Sequence, residues 1–187
     1  MGMLVEGKWV EKSIVTSDKK GGYDRIPRSF RDFISHEHQV FKPEVNRYHL
    51  YVSYACPWAS RTLIFRELKE LSDIISISVV HPDMLSDGWH FDDTYKEATK
   101  DDLYNFSHLR DLYLKADSSI TTSVTVPILW DKKTQTIVNN ESSEIIRMFN
   151  CSFNELTGNN DDYYPKDKQT EIDELNEVIY HNVNNGV

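Results

Sequence analysis

The spacing of hydrophobic and polar residues changes several times along the chain and predicts alternating strands and helices. Residues 48–53 combine aromatic and β-branched side chains and predict a strand, and residues 74–80 predict a second one. Between them, residues 58–71 place apolar side chains at helical spacing with charged residues between, which is typical of an amphipathic helix. A strand, a helix and a strand in this order predict a right-handed parallel crossover.

The second half of the chain predicts an antiparallel strand pair followed by helices. Apolar residues recur at helical spacing in residues 101–115. Two strands are predicted at 124–130 and 136–139, joined by a polar turn, and two helices at 143–149 and 167–182. The complete order of elements predicts an α/β protein with the thioredoxin-like fold, in which helices flank a mixed four-stranded sheet.

The chain ends are less regular, and we divide the chain into three predicted parts. We predict that residues 1–42 form an extended arm that wraps the domain and that residues 43–160 form the thioredoxin-like domain. We predict that residues 161–187 form a linker and the first helix of a truncated all-helical domain. The candidate anchors of the arm are apolar: Phe30, Phe33 and Ile34.

Charge and composition narrow the classes of function. The formal net charge is −9, without the basic stripe that proteins binding nucleic acid carry. No apolar run approaches the roughly 20 residues of a membrane span, and residues 1–12 lack the order of a signal peptide. Two cysteines are too few for a disulfide framework. We therefore expect a cytoplasmic protein that binds neither nucleic acid nor membranes.

Cys56 is the strongest candidate for chemistry. It lies in a turn directly before the helix predicted at 58–71, and the next residue, Pro57, suits a first helical position. A thiol there meets unpaired backbone N–H groups and the positive end of the helix dipole, which favour the reactive thiolate. The alternative is a structural cysteine packed under Trp58. Because no second cysteine follows three residues later, a mixed disulfide at Cys56 would need an external thiol, and we interpret Cys151 as structural.

Four other residues each allow a structural interpretation and a ligand-binding one. Pro127 either begins a strand or follows a cis peptide bond that turns the backbone of Val126 toward a peptide-like ligand. Glu141 and Ser142 either cap a helix or bind the ammonium and carboxylate of a ligand at its N-terminus. Trp89 lies in a polar segment, where a large aromatic side chain either recognises a ligand or packs on the core. The histidines nearby match no metal-ligand spacing, so we predict no metal.

Read as one motif, residues 53–61, Ser-Tyr-Ala-Cys-Pro-Trp-Ala-Ser-Arg, resemble the glutathionyl-hydroquinone reductases, also grouped as Xi-class or fungal omega-like glutathione transferases. The similarity continues in the family's order over most of the chain from residue 51 onward. Its other blocks are residues 81–82, 87–91, 112–117, 124–131 and 140–150.

The resemblance implies a glutathione site in which Cys56 faces the glutathione sulfur and acts as the catalytic residue. The other implied contacts are Glu141 and Ser142 with the γ-glutamyl end, the Val126 backbone before a cis Pro127 with the cysteinyl part, and Trp89 packed on the ligand. In the implied reaction, the Cys56 thiolate attacks a glutathionyl-hydroquinone and releases hydroquinone. A second glutathione then removes the first from Cys56 as oxidised glutathione.

Two departures from the family pattern modify this expectation. Where many members carry Gly-Arg, this chain has Thr122-Ser123, so a cation expected near the glutathione carboxylates is missing. Members also continue into an all-helical domain that supplies the quinone pocket and much of the dimer interface, which implies a homodimer when the protein is full length. The alternative functions are an omega-like thioltransferase or dehydroascorbate reductase, and a non-catalytic module that binds a partner.

Overall fold

The computed structural model describes residues 2–11, 16–17, 23–24 and 28–185. The strands are β1 Met3–Val5, β2 Lys8–Val10, β3 Thr16–Ser17, β4 Tyr23–Asp24, β5 Tyr48–Val52, β6 Ser76–Val79, β7 Thr122–Ser123, β8 Ile128–Asp131 and β9 Thr136–Asn139. The helices are α1 Pro57–Leu68, α2 Arg110–Ala116, α3 Ser142–Cys151, α4 Asn154–Thr157 and α5 Gln169–Ile179, and a π-helical turn, Tyr180–Asn184, follows α5.

The central sheet has four strands in the order β6-β5-β8-β9. Strand β5 pairs with β6 in parallel and with β8 antiparallel, and β8 pairs antiparallel with β9. All five residues of β5 are buried, as expected for an inner strand covered on both faces. The helices α1 and α3 contact each other, and α2 contacts β9. This architecture confirms the predicted thioredoxin-like fold.

The first residues form a hairpin rather than the predicted extended arm. Strands β1 and β2 are joined by Glu6 and Gly7, whose φ angles of 47° and 74° suit a two-residue type I′ turn. Strand β1 also pairs with β7, which makes a second, three-stranded sheet. Leu4, at the centre of β1, is completely buried in the core.

The later part of the predicted arm agrees with expectation at some positions only. Ile34 is buried and Phe30 packs partly buried against the core, but Phe33 is 42% exposed and does not anchor the segment. Strands β3 and β4 pair antiparallel with each other. The remainder of the predicted arm, residues 1, 12–15, 18–22 and 25–27, lies outside the described residues.

The helix predicted at 101–115 begins only at Arg110, nine residues late. The reason is the buried Asp101 carboxylate, which accepts hydrogen bonds from the backbone N–H groups of Leu103, Tyr104 and Phe106. An aspartate that bonds the following backbone in this way competes with helical hydrogen bonding. The Tyr51 hydroxyl donates to the same carboxylate at 2.9 Å and fixes this segment to the central sheet.

The third predicted strand, residues 124–130, is shorter at its start than expected. Its ladder begins at Ile128, because Pro127 has no N–H to donate. The fourth strand has the predicted bounds, and α3 extends the helix predicted at 143–149 by one residue at its start and two at its end. None of the described helices has the length and apolar character needed to cross a bilayer.

Candidate active site around Cys56

Cys56 is the N-cap residue of α1, as the sequence predicts. Its backbone is extended, with φ −100° and ψ 113°, and Pro57 opens the helix. Its side chain makes no capping hydrogen bond, and the half-buried sulfur lies 3.8 Å from the carbonyl oxygen of Val126. The thiol therefore lies at the positive end of the α1 dipole, a position typical of reactive cysteines.

The Val126 carbonyl belongs to a segment that is held in place by a tyrosine. The Val126–Pro127 peptide bond is cis, as the resemblance implies. The Tyr113 hydroxyl donates to the carbonyl oxygen of Thr125 at 3.0 Å and accepts from the Thr125 N–H at 3.2 Å. Asn140 donates to the same hydroxyl at 3.1 Å. Tyr113 therefore fixes the backbone that faces Cys56, a role that its place in an apolar helix pattern does not reveal.

Glu141 and Ser142 lie where β9 leads into α3. Glu141 is the N-cap of α3, and its Oε1 accepts from the Ser143 N–H at 3.1 Å and from the Ser143 hydroxyl at 3.0 Å. Ser142 opens the helix and is only 3% exposed. Glu141 therefore caps the helix, as one of the two interpretations expects. Binding of a ligand ammonium stays a prediction, because one carboxylate can accept from the Ser143 groups and from an ammonium together.

Arg61 joins the two helix ends and has no assigned role in the sequence motif that contains it. Its Nε and Nη2 donate to the Ser142 hydroxyl oxygen at 2.9 Å and 2.6 Å, and Nη2 lies 3.5 Å from Glu141 Oε1. The guanidinium also lies over the ring of Trp58, 5.3 Å from its centre. Burial lowers the pKa of Arg61, an effect that the charge of Glu141 partly opposes. At neutral pH the group stays positive, because arginine remains charged in proteins.

Trp89 lies in the core rather than on an open surface. It is 8% exposed and belongs to the main apolar cluster. Its carbonyl oxygen accepts from the Leu109 N–H at 2.9 Å. The neighbouring Gly88 packs against the ring of Trp9 in β2, whose indole N–H donates to the carbonyl oxygen of Ser86 at 3.2 Å. The hairpin of β1 and β2 therefore fixes the loop that carries Trp89.

A recess of about 260 Å³ opens beside the turn that holds Cys56. Its lining is mostly apolar and includes the residue before Cys56: Tyr54, Ala55, Val79, Val80, Pro82, Tyr95 and Glu97. The ring of His81 contacts the lining residue Tyr95 and stacks on His90, with ring centres 4.7 Å apart in the histidine pair. Within the described ranges, no three or more His, Cys, Asp or Glu side chains are grouped to hold a metal ion.

The candidate site residues are thus brought together in part. Helix α1 carries Cys56 against Val126 at its first turn and Arg61 against Ser142 in its second. Ser123, where many family members have arginine, is buried in β7 opposite Met3. Cys151 lies at the end of α3, exposed, and its thiol donates to the Arg147 carbonyl oxygen at 3.4 Å.

Known proteins are similar to this chain in both sequence and structure. The sequence model of the family described as "Glutathione S-transferase, N-terminal domain" matches residues 55–151 of the 187, a segment that contains every candidate site residue. The chain belongs to the glutathione S-transferase family. Its resemblance to the glutathionyl-hydroquinone reductase branch is also confirmed: it is 50% identical over 194 residues to the Escherichia coli protein named glutathionyl-hydroquinone reductase YqjG.

Solved structures of glutathione transferases superpose closely on this one. The structure of YqjG with glutathione bound gives a TM-score of 0.86 at 48% identity, covering 99% of this chain and 56% of that one. A Xi-class glutathione transferase from Natrialba magadii gives 0.87 at 43% identity, covering 100% and 56%. In sequence, the whole chain aligns with 59% of YqjG. The chain therefore spans less than two thirds of the length of these relatives.

Proposed function

We propose that this chain is the glutathione-binding part of a glutathione-dependent thiol oxidoreductase that reduces glutathionyl-hydroquinones. The observation that carries the proposal is the position of Cys56, a half-buried thiol at a helix N-terminus, 3.8 Å from a backbone carbonyl. Such a thiol is placed to act as a nucleophile beside a peptide-like ligand. The names of two relatives, glutathionyl-hydroquinone reductases from Escherichia coli and Sphingobium chlorophenolicum, support the choice of substrate.

In the proposed complex, glutathione lies between the first turns of α1 and α3. The Val126 backbone pairs with the cysteinyl amide, which places the ligand's sulfur toward Cys56. Glu141 attracts the γ-glutamyl ammonium, and Ser142 donates to the carboxylate at the helix N-terminus. Pro127 continues the wall beside Val126.

Trp89 is a proposed site residue with little open surface. We propose that Trp89 packs against glutathione through the 8% of its surface that is exposed. An aromatic side chain held this firmly by the core can contact a ligand without losing conformational freedom on binding.

The proposed reaction proceeds in two balanced steps. The Cys56 thiolate attacks the sulfur of the glutathionyl-hydroquinone, an S–S bond forms, the bond from sulfur to the ring carbon breaks, and that carbon takes up a proton to give hydroquinone. The thiolate of a second glutathione then attacks the mixed disulfide and releases oxidised glutathione and the Cys56 thiolate. Overall, one glutathionyl-hydroquinone and one glutathione give one hydroquinone and one oxidised glutathione.

The remaining parts of the proposal follow from the family. We propose a cytoplasmic protein that forms a homodimer when full length and takes small quinone-derived substrates. The net charge of −9 supports a small-molecule function over binding to nucleic acid.

The test is the intact mass of the protein after incubation with oxidised glutathione. One glutathione adduct is expected on the parent protein, removable by reduced glutathione, and none on Cys56→Ser. The matched control is Cys151→Ser, which removes the exposed second cysteine and is expected to retain the adduct. An adduct that persists in Cys56→Ser would show that Cys56 is not the reactive thiol.

The acceptor is tested separately, by chromatography of products from three substrates. Release of hydroquinone from a glutathionyl-hydroquinone, faster than reduction of dehydroascorbate or of a small mixed disulfide, supports the proposed reaction. A preference for either of the other two would assign the chain to the omega-like thioltransferase alternative.

A further inference from the structure

The Ser142 hydroxyl has an unusual set of partners. It accepts two hydrogen bonds from one guanidinium, from Arg61 Nε at 2.9 Å and Nη2 at 2.6 Å. A hydroxyl oxygen accepts through its two lone pairs and donates through one hydrogen. Both lone pairs of Ser142 are therefore used by Arg61, and the hydroxyl hydrogen is the only bonding capacity left.

That hydrogen is buried and has no acceptor among the described residues. Ser142 is only 3% exposed, and leaving a buried donor unpaired has a substantial free-energy cost. The hydrogen therefore suits an acceptor that arrives from outside the chain. Since Ser142 opens α3, that acceptor would also lie at the positive end of the helix dipole, which favours an anion such as a carboxylate.

We infer that Arg61 is a positioning residue for glutathione, which acts through Ser142 by making its hydroxyl an obligate donor to the ligand's γ-glutamyl carboxylate. The inference rests on the proposed function, because it needs glutathione at this site. The planar fork of arginine is essential to it, since two bonds to one oxygen fix the hydroxyl and a single point charge does not. The guanidinium also holds Glu141 at 3.5 Å, so both γ-glutamyl partners depend on it.

The test measures calorimetric affinity for reduced glutathione in a Cys56→Ser background, where no chemistry occurs. We expect Arg61→Met and Ser142→Ala each to weaken binding about 10- to 100-fold, as for a hydrogen bond to a charged group. The double variant is expected to bind no more weakly than the poorer single variant, because both changes remove the same interaction. Arg61→Lys is expected to fall between the parent and Arg61→Met.

The matched control is Arg66→Met, which removes an arginine from the same helix. Arg66 donates to the carbonyl oxygens of Ile75 and Ser72, away from Ser142, so its loss is expected to leave glutathione affinity within about twofold. A second probe is cysteinylglycine, which lacks the γ-glutamyl group. Its weaker binding is expected to be the same in the parent and in Arg61→Met.

Three outcomes would overturn the inference. If the Arg61 and Ser142 effects multiply in the double variant, Arg61 contacts the ligand itself. If Arg61→Met binds glutathione as the parent does, the guanidinium has no part in recognition. If the parent protein binds no glutathione, the proposed function fails together with the inference, and this case is distinct because it appears before any Arg61 variant is compared.

Discussion

The buried ion pair between Arg47 and Asp131 offers a test that separates the stability of the fold from the chemistry of the site. Arg47 Nε and Nη2 donate to the two carboxylate oxygens of Asp131 at 2.9 Å and 2.6 Å. Their side chains are 4% and 0% exposed. The carboxylate also accepts from the Lys133 N–H at 2.9 Å and the Thr134 hydroxyl at 2.7 Å. Every lone pair of Asp131 thus has a partner.

Asp131→Asn keeps the shape of this side chain and removes its charge. The only carboxylate that the structure then leaves beside the buried Arg47 guanidinium, among the described residues, is the half-exposed Glu44 at 3.5 Å. Removing the buried partner of such a pair costs about 3–5 kcal/mol of folding free energy. For a domain of this size, each kcal/mol lowers the melting temperature by roughly 2–4 °C, so a fall of about 6–20 °C is expected. Thermal and urea unfolding at pH 7, followed by far-ultraviolet circular dichroism, measures it.

The pH dependence of folding stability provides a second test of the Arg47–Asp131 pair. Burial alone would raise the pKa of Asp131, but hydrogen bonds from Arg47 and Thr134 outweigh it and hold the pKa below its ordinary value. The stabilisation is therefore fully present above the pKa of the unfolded chain, about 3.9, and is lost as pH falls through the lower folded pKa. The stability difference between the parent protein and Asp131→Asn is expected to shrink over that interval.

The control is Asp73→Asn, which neutralises an exposed aspartate and is expected to change stability by less than about 0.5 kcal/mol. Asp131 pairs with Tyr48 at the end of β5 that lies farthest from Cys56. The folded fraction of Asp131→Asn should therefore form the glutathione adduct at the parent's rate. A stability loss below about 1 kcal/mol would refute the reasoning, because the pair would then behave like an exposed one.

Two further predictions concern the hairpin and a buried histidine. Trp9→Ala removes the contact between the indole and the Arg110 guanidinium, which lies 5.1 Å from the ring centre. We expect faster hydrogen exchange of the Leu109 amide, which donates to the Trp89 carbonyl oxygen. Unchanged exchange would show that the hairpin does not stabilise the loop that carries Trp89. Burial lowers the pKa of His49 to about 3, so unfolding stability is expected to fall as pH drops from about 6.5 toward about 3, where only the unfolded chain takes up the proton. A pH series of urea unfolding measures this, and an equal slope in His49→Gln would contradict it.

The central fold could be predicted because its signal is local. The residues of β5 are all buried, and a run rich in aromatic and β-branched side chains marked the strand. The helix predicted at 101–115 failed where one side chain overrides the pattern, since Asp101 bonds to three backbone N–H groups that a helix would use otherwise. The hairpin at the N-terminus was missed because its strands have only three residues each, too short for a period to appear.

Two candidate site residues could be placed from the sequence because they lie at helix termini. Cys56 and Glu141 each precede a helix, and both prove to be N-cap residues. Arg61 and Tyr113 act through partners that are distant along the chain, 81 residues away for Arg61 and Ser142. A sequence pattern shows that such residues lie on helices, but only the folded chain shows what their polar ends contact.

One helix links the two ends of the proposed ligand. Cys56 and Arg61 are five residues apart, so the rise of α1 separates their backbones by about 7.5 Å along its axis. The thiol is fixed against Val126 at one end of this span, and the guanidinium is fixed on Ser142 at the other. A ligand whose sulfur and carboxylate are a similar distance apart can reach both the Cys56 thiol and the Ser142 hydroxyl only if the helix stays rigid. The packing of α1 on α3 therefore keeps the two ends of the proposed site at a fixed spacing, and in the proposed complex a thiol without a γ-glutamyl arm uses only the Cys56 end.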